Sequence, residues 1–309
     1  MSDQPVIQTR GLTRYFGPKP AVYELNLAVP RGSVFAFLGR NGSGKSTTIR
    51  MLLGLLAPSR GGGTILGFDI RRLPPEARAR VGYLTEEHQL YGWMNARNCG
   101  EFQSRFYPRW SEKIFQGVID HFGLKPEARV KDLSRGERAG LSLALTLAPD
   151  PELLILDDPA LGLDPVARRA LVESMIYLTR RSDRTIFFST HDLADIERVA
   201  DYVAVLDHSV LRACCPVEAF RNEVRQVRLR FAGPPPKLPP LPGLLQATRT
   251  ESGMRLVFVR YNEAIERSLN TLGPDQIEVS AVSLEDALIS YLGERGEKSF
   301  ILSEAEAPL

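Results

Sequence analysis

Apolar residues in this chain keep two rhythms, and the switch between them marks out its elements. Short apolar or alternating runs at residues 6–10, 23–29, 34–39, 64–67, 81–84, 153–156, 185–188 and 202–206 read as strands. In the second run Tyr23, Leu25, Leu27 and Val29 take alternate positions, the mark of a strand with one covered face. Helical stretches at 46–56, near 75–80, across most of 96–122, and at 133–148, 166–179 and 193–199 lie between them. Pro58 ends the first helix, and the glycines at 61–63 predict a turn before the strand at 64–67. Strands alternating with helices predict a mainly parallel sheet covered by helices.

Past residue 223 the texture changes. A strand at 224–231, a proline-rich run at 233–243, strands at 255–261 and 276–282, and helices at 263–272 and 284–292 predict a small α+β unit. The prolines form an extended loop inside it or, alternatively, an interdomain linker. The expected division is residues 1–222 and 223–309, with no second phosphate loop in the smaller part.

The candidate chemistry starts where the strand from Val34 runs into glycines and then a helix. Gly39, Gly44, Lys45 and Ser46 have the G-x-x-x-x-G-K-S spacing of a phosphate loop, in the required strand-to-helix setting. Gly42 and Gly44 give bare backbone, and the helix start aims unpaired N–H groups and its positive dipole end at phosphates. Lys45 adds a full charge toward the β- and γ-phosphates, and the Ser46 hydroxyl is a Mg²⁺ ligand. The expected binding loop is Gly39, Arg40, Asn41, Gly42, Ser43, Gly44, Lys45, Ser46 and Thr47.

Charge and cysteine usage narrow the setting. A net charge of +2, with 43% hydrophobic and 25% charged residues, gives no global argument for nucleic acid or membrane phosphates. The arginine-rich stretch at 78–80 reads as a solvated helix face. Cys99, Cys214 and Cys215 show no C-x-x-C spacing, and their odd number fits a reducing compartment better than a disulfide framework or structural zinc. No run approaches about 18 consecutive apolar residues, and the polar start lacks a signal peptide's apolar core. The chain is therefore expected to be cytoplasmic, reaching a membrane only through a partner.

Later motifs follow in a definite order: GYLTEE at 82–87, LSRGE at 133–137, LLILDD at 153–158, LGLDP at 161–165 and STHD at 189–192. With the phosphate loop, this order over roughly the first 220 residues resembles the ATP-binding subunits of ABC transporters. The chain looks most like those of ABC-2 type exporters. The resemblance implies a P-loop NTPase cassette of α/β class: a mainly parallel core sheet, an antiparallel β-subdomain and a helical subdomain at about 92–145, followed by the small α+β domain. It implies ATP and Mg²⁺ as ligands, and head-to-tail pairing with a second ATP-binding subunit, expected to be a copy of this chain. Integral membrane permease subunits complete the expected assembly, which sits on the inner face of the membrane; no nucleic acid is expected.

Roles carry over residue by residue. Asp157, ending a buried strand, is expected to hold Mg²⁺ with Ser46 and Glu86, and Asp158 to orient the attacking water. The family usually has glutamate at that second position. Aspartate is one methylene shorter, and a misplacement of about 1 Å can cost on the order of 10²-fold in rate. Glu86 stands where glutamine is usual; a carboxylate cannot donate a hydrogen bond, and Glu87 beside it leaves the register open. His191 matches the switch histidine that senses the γ-phosphate, and Asp164 a loop that faces the partner subunit. Phe16, or Tyr15 next to it, matches the ring that stacks on adenine; either ring is as compatible with core packing.

Ser134, Arg135, Gly136 and Glu137 match the signature that contacts ATP bound to the other subunit. Arg135 replaces the usual glycine, and Glu137 stands where glutamine is frequent. Ser134 and Glu137 also have the spacing of a helix capping box, which needs no ligand. Tyr91, Trp93 and Met94 are candidates for the groove that receives a helix of the membrane subunit, or for local core. Two other functions compete with transport. One is a soluble ABC-type ATPase of DNA repair or translation, disfavoured by a single cassette without coiled-coil or zinc-bearing insertions. The other is a slow nucleotide-gated switch, kept open by Asp158.

Overall fold

The computed structural model describes residues 4–88, 90–181, 184–250, 253–283, 286–287 and 290. The chain divides into two compact units, Met1–Leu211 and Arg212–Leu309, upstream of the change in texture. In order, the first unit contains β1 (Ile7–Phe16), β2 (Lys19–Val29), β3 (Val34–Gly39), α1 (Lys45–Leu52), β4 (Arg60–Ile65), β5 (Phe68–Asp69), α2 (Pro75–Arg78) and β6 (Val81–Leu84). It continues with α3 (Ala96–Ser104), α4 (Glu112–His121), α5 (Arg135–Leu147), β7 (Leu153–Leu156), α6 (Pro165–Arg181), β8 (Thr185–Thr190), α7 (Leu193–Val199) and β9 (Tyr202–Asp207).

Its main sheet has the order β9-β3-β8-β7-β6, all parallel, with β10 (Val210–Pro216) at the edge beside β9. Every residue of β3, β7 and β8 is buried, as a parallel sheet covered on both faces requires. Phe35 and Phe37 pack on Phe187 with ring centroids 5.8 and 5.4 Å apart, inside the offset range that favours aromatic pairs. The topology places the C-terminal ends of β3, β7 and β8 side by side, and these ends carry the phosphate loop, the two aspartates and STHD.

A separate antiparallel sheet, β2-β1-β4-β5, corrects two expectations. The glycines at 61–63 lie inside β4 rather than in a turn, because β4 pairs with β1 at close backbone approach. A Cβ at Gly61 would stand 2.0 Å from the Gly11 carbonyl oxygen, so the triplet marks crowding by a neighbouring strand. In β2, Leu25, Leu27 and Val29 are buried but Tyr23 faces out and Val22 faces in. The register slips between Leu12↔Leu25 and Arg14↔Val22, with Glu24 at φ 45; this bulge inverts the alternation. Helix α1 stops at Leu52, short of Pro58, where Gly54 takes the left-handed conformation of a helix terminus.

Helices α3, α4 and α5 enclose a second core that includes Phe115, Ile119, Leu141 and Ala144. Met94 is buried in that core, 4.0 Å from the Cys99 sulfur, so it is not a groove residue. Among the described residues no helix is long and apolar enough to cross a membrane.

The second unit holds α8 (Val217–Glu223) and the antiparallel sheet β12-β13-β11-β14, formed by β11 (Val224–Arg230), β12 (Leu244–Thr250), β13 (Gly253–Val259) and β14 (Gln276–Ala281). Val227, Leu229, Met254, Leu256 and Phe258 form its inner face, closed by Ile265 and Leu269 of α9 (Glu263–Asn270). The proline run lies in the connection between β11 and β12. Sequence reading missed β10, α8 and β12, and most of the helix expected at 284–292 lies outside the described residues.

Candidate nucleotide site

The strand-loop-helix unit has the geometry its residues dictate. Gly42 (φ 79) and Gly44 (φ 110) take conformations that side chains resist, and a Cβ at Gly44 would stand 2.1 Å from the Ala21 carbonyl oxygen. Gly44 is the N-cap of α1 and gives it no side-chain cap, so the helix opens with its first N–H groups uncovered by a side chain. Lys45 is buried and its Nζ donates to the Gly39 carbonyl at 2.8 Å, with the Arg40 carbonyl at 3.4 Å. Burial lowers its pKa, against the pull of Asp158, Asp157 and Glu86. The Ser43 hydroxyl is buried without a partner. Arg40 and Asn41 are exposed, while Ser46 and Thr47 are half-buried at the helix start. An ammonium held on carbonyls, an orphan hydroxyl and an uncapped helix start fit a polyphosphate.

Asp157 and Asp158 are both buried at the end of β7. Asp157 Oδ1 accepts from the Ser46 hydroxyl at 3.1 Å and from the Ser189 hydroxyl at 2.7 Å. Asp158 has φ 45, a left-handed conformation that aspartate tolerates better than most side chains. Its Oδ2 lies 3.0 Å from His191 Nδ1, so an ionised Asp158 fixes the ring with Nδ1–H as donor. Glu86 shares this field. Its pKa is raised by partial desolvation and then by Asp158, Asp157 and Glu87, with Lys45 opposing. Lys45, Ser46, Glu86, Asp157, Asp158 and His191 are thus grouped at one sheet end. A carboxylate beside a hydroxyl is an oxygen donor set of the kind that suits Mg²⁺, which takes few protein ligands. Among the described residues no group of three or more His, Cys, Asp or Glu side chains forms a metal site of its own.

Among the described residues, the other expected ones make no hydrogen bond to that cluster. At LSRGE the capping box is complete: the Ser134 hydroxyl accepts from Glu137 N at 3.2 Å, and Glu137 Oε2 accepts from Ser134 N at 2.8 Å. Gly136 is buried, and exposed Arg135 turns back over its own chain, with Nη1 3.1 Å from where a Cβ on Gly162 would lie. Asp164 caps α6, its Oδ1 accepting from Val166 N at 2.9 Å and Ala167 N at 3.0 Å. Phe16 is 54% exposed with the Arg14 guanidinium 4.9 Å from its ring centre. Tyr15 is half-buried near Arg60, which leaves Phe16 the more open ring. Ser189, which links both aspartates, stands in the STHD motif but has no role of its own in the sequence reading; the signal is a hydroxyl near the end of a buried apolar strand.

Comparison with known proteins identifies the family. The family described as ABC transporter matches residues 22–161. The chain is 33% identical over 223 residues to the bacitracin transport ATP-binding protein BcrA of Bacillus licheniformis, covering 72% of this chain and 73% of that one. It is 35% identical over 241 residues to the Nod factor export ATP-binding protein I of Cupriavidus pinatubonensis, covering 72% and 74%. A solved ATP-binding subunit of an ABC transporter superposes with a TM-score of 0.64 at 27% identity, over 70% of this chain and 92% of that one. A dimeric bacterial ABC transporter cassette shares the fold, with a TM-score of 0.60 at 20% identity over 66% of this chain and 96% of the other. The phosphate loop, the paired aspartates and these likenesses place the chain among the ATP-binding subunits of ABC transporters, which are ATPases.

Proposed function

We propose that this chain energises a membrane exporter by ATP-driven closure of a head-to-tail pair of its own copies. The observation that carries this reading is the convergence of Lys45, Ser46, Asp157, Asp158 and His191 at one sheet end, joined to a signature presented on a separate helix start. Such a split arrangement is completed when a second copy brings its Ser134, Arg135, Gly136 and Glu137 to the phosphates held by the first. Leu161 and Val166, exposed on either side of Asp164, suit a surface that a second subunit covers. Bound nucleotide then favours the paired state, and its hydrolysis removes that preference.

In this reading residues 39–47 bind the phosphates and Phe16 stacks on adenine. Ser46, Asp157 and Glu86 would hold Mg²⁺, which when bound would supply positive charge against the phosphates. Asp158 orients and polarises the attacking water, with its carboxylate aimed by His191. The names of the relatives, which concern transport of bacitracin and export of Nod factor, support the exporter class. The partners are permease subunits in the membrane, and the chain works on the inner face, with residues 1–222 as the cassette and 223–309 as an accessory domain.

The permease surface is assigned to an exposed aromatic chain on the helical subdomain. Tyr91 lies 6.1 Å from Trp93 and 6.3 Å from Phe102, and Phe102 lies 5.2 Å from Phe106, all four with much of their surface open to solvent. Rings left outside a complete core, as Trp93 is at 72% exposure, suit a partner helix. Trp93→Ala should abolish transport with folding and nucleotide binding intact; unchanged complex assembly would remove the docking assignment. The function itself is tested by ATP turnover of the chain with its membrane partner. Asp158→Asn should lower turnover by about 10²-fold or more, and an unchanged rate would mean Asp158 is not the water-orienting group. Copurification with ribosomes or nucleic acid in place of a membrane protein would favour the soluble class.

A further inference from the structure

Ser189, next to last in β8, is fully buried and sits beneath both aspartates. Its hydroxyl donates to Asp157 Oδ1 at 2.7 Å and accepts from the Asp158 backbone N–H at 2.9 Å. A serine hydroxyl has one proton to give. The two bonds therefore fix its direction, and with it the rotation of the Asp157 carboxylate. The same oxygen of Asp157 takes the Ser46 hydroxyl, so Oδ2 lies outside these bonds. Asp158 follows at φ 45, a backbone conformation that persists only where surrounding bonds hold it.

We infer that Ser189 is a positioning residue for hydrolysis: one buried hydroxyl sets the orientation of Asp157 and anchors the left-handed backbone of Asp158. The inference rests on the roles proposed above for these two aspartates. It also accounts for the shorter acid at position 158. Ser189 holds the Asp158 backbone and His191, just past β8, meets its carboxylate, so the direction of this shorter acid is set by the chain at and beyond the end of β8.

The test uses the full-length chain with three readouts: kcat, nucleotide affinity in EDTA, and Mn²⁺ affinity in the presence of ADP, followed by electron paramagnetic resonance without turnover. Ser189→Ala should lower kcat and Mn²⁺ affinity by about 10–100-fold, as loss of a group that orients a metal ligand does. Its affinity for nucleotide in EDTA should stay close to wild type, while loss of two buried hydrogen bonds should lower its melting temperature without preventing folding. A folded Ser189→Thr variant, which keeps the hydroxyl, should recover most of both losses. Wild-type kcat and Mn²⁺ affinity in Ser189→Ala would overturn the inference. So would an equal loss of nucleotide affinity in EDTA, which marks a merely structural role, or a folded Ser189→Thr as weak as Ser189→Ala. Asp157→Asn and Asp158→Asn run alongside separate the two levels. If they leave Mn²⁺ binding and turnover intact, the proposed roles fall; if they act and Ser189→Ala does not, only the positioning role falls.

Discussion

The two units of this chain bury very different material. In the first, Ser43, Lys45, Asp157, Asp158, Ser189 and Thr190 are all buried along one sheet end. In the second, the inner face of the sheet is Val227, Leu229, Met254, Leu256 and Phe258, and Ser290 is the buried polar side chain among the described residues. Desolvating charged and hydroxyl groups opposes folding, so a fold retains them where they act. Apolar burial in the second unit has stability as a sufficient explanation, whereas the first unit's buried charges are costly to bury and agree with the ligand role proposed for them.

Substitutions can sharpen that contrast. The largest effect is expected for Leu256→Ala, which leaves a cavity in a fully buried sheet face and should cost about 2–5 kcal/mol in denaturant unfolding. Its ATP affinity should not change; a parallel loss would break the separation of roles. Lys45→Ala should weaken ATP binding by about 10²-fold, roughly 2.7 kcal/mol. Because burial disfavours the charged Lys45, the nucleotide-free variant should melt no lower than wild type, so that the side chain is seen to serve binding more than stability. Calorimetric titration and thermal melts read the two sides.

Smaller effects test the frame. Ser134→Ala removes half of the capping box and should cost about 1 kcal/mol of stability even without nucleotide, which denaturant melts of the ATP-free protein would show. Glu152→Gln should cost about 0.5 kcal/mol near neutral pH, a value already discounted for the partial exposure of both partners. Arg80 holds the Glu152 carboxyl below its usual value of 4.5, against the opposite effect of burial. A carboxylate whose folded pKa is depressed stabilises the fold above its unfolded pKa, and loses that contribution as pH falls through the folded value. Wild type and Glu152→Gln should therefore differ at neutral pH and converge in acid; a gap that persists in acid would refute the pairing.

Legibility in sequence followed the range of the interaction. The phosphate loop, the capping box at Ser134 and Glu137, and the strand Leu153–Leu156 depend on neighbours a few residues away, and all were readable. The glycines of β4 were not, because their reason is strand β1, distant in sequence. Tyr23 was placed on the wrong face because a bulge is set by pairing and not by local pattern. The roles of single residues divide the same way. The role proposed for Lys45 comes from its motif, but the Ser189 bonds reach 32 positions along the chain to Asp157 and 31 to Asp158. Arg135 reads as a departure in sequence, while only the fold shows it lying over Gly162.

The contact between Gly44 and Ala21 has one further consequence. With no space for even a methyl group there, the turn that receives phosphates is seated directly on β2, which pairs with β1 and so with the strand carrying Phe16. In the reading proposed above, the gauge between the Phe16 ring and the Lys45 ammonium is thereby built in main chain, ahead of any ligand. On that proposal a nucleotide would be measured against a fixed rule, and repacking of side chains would have little leverage over its length.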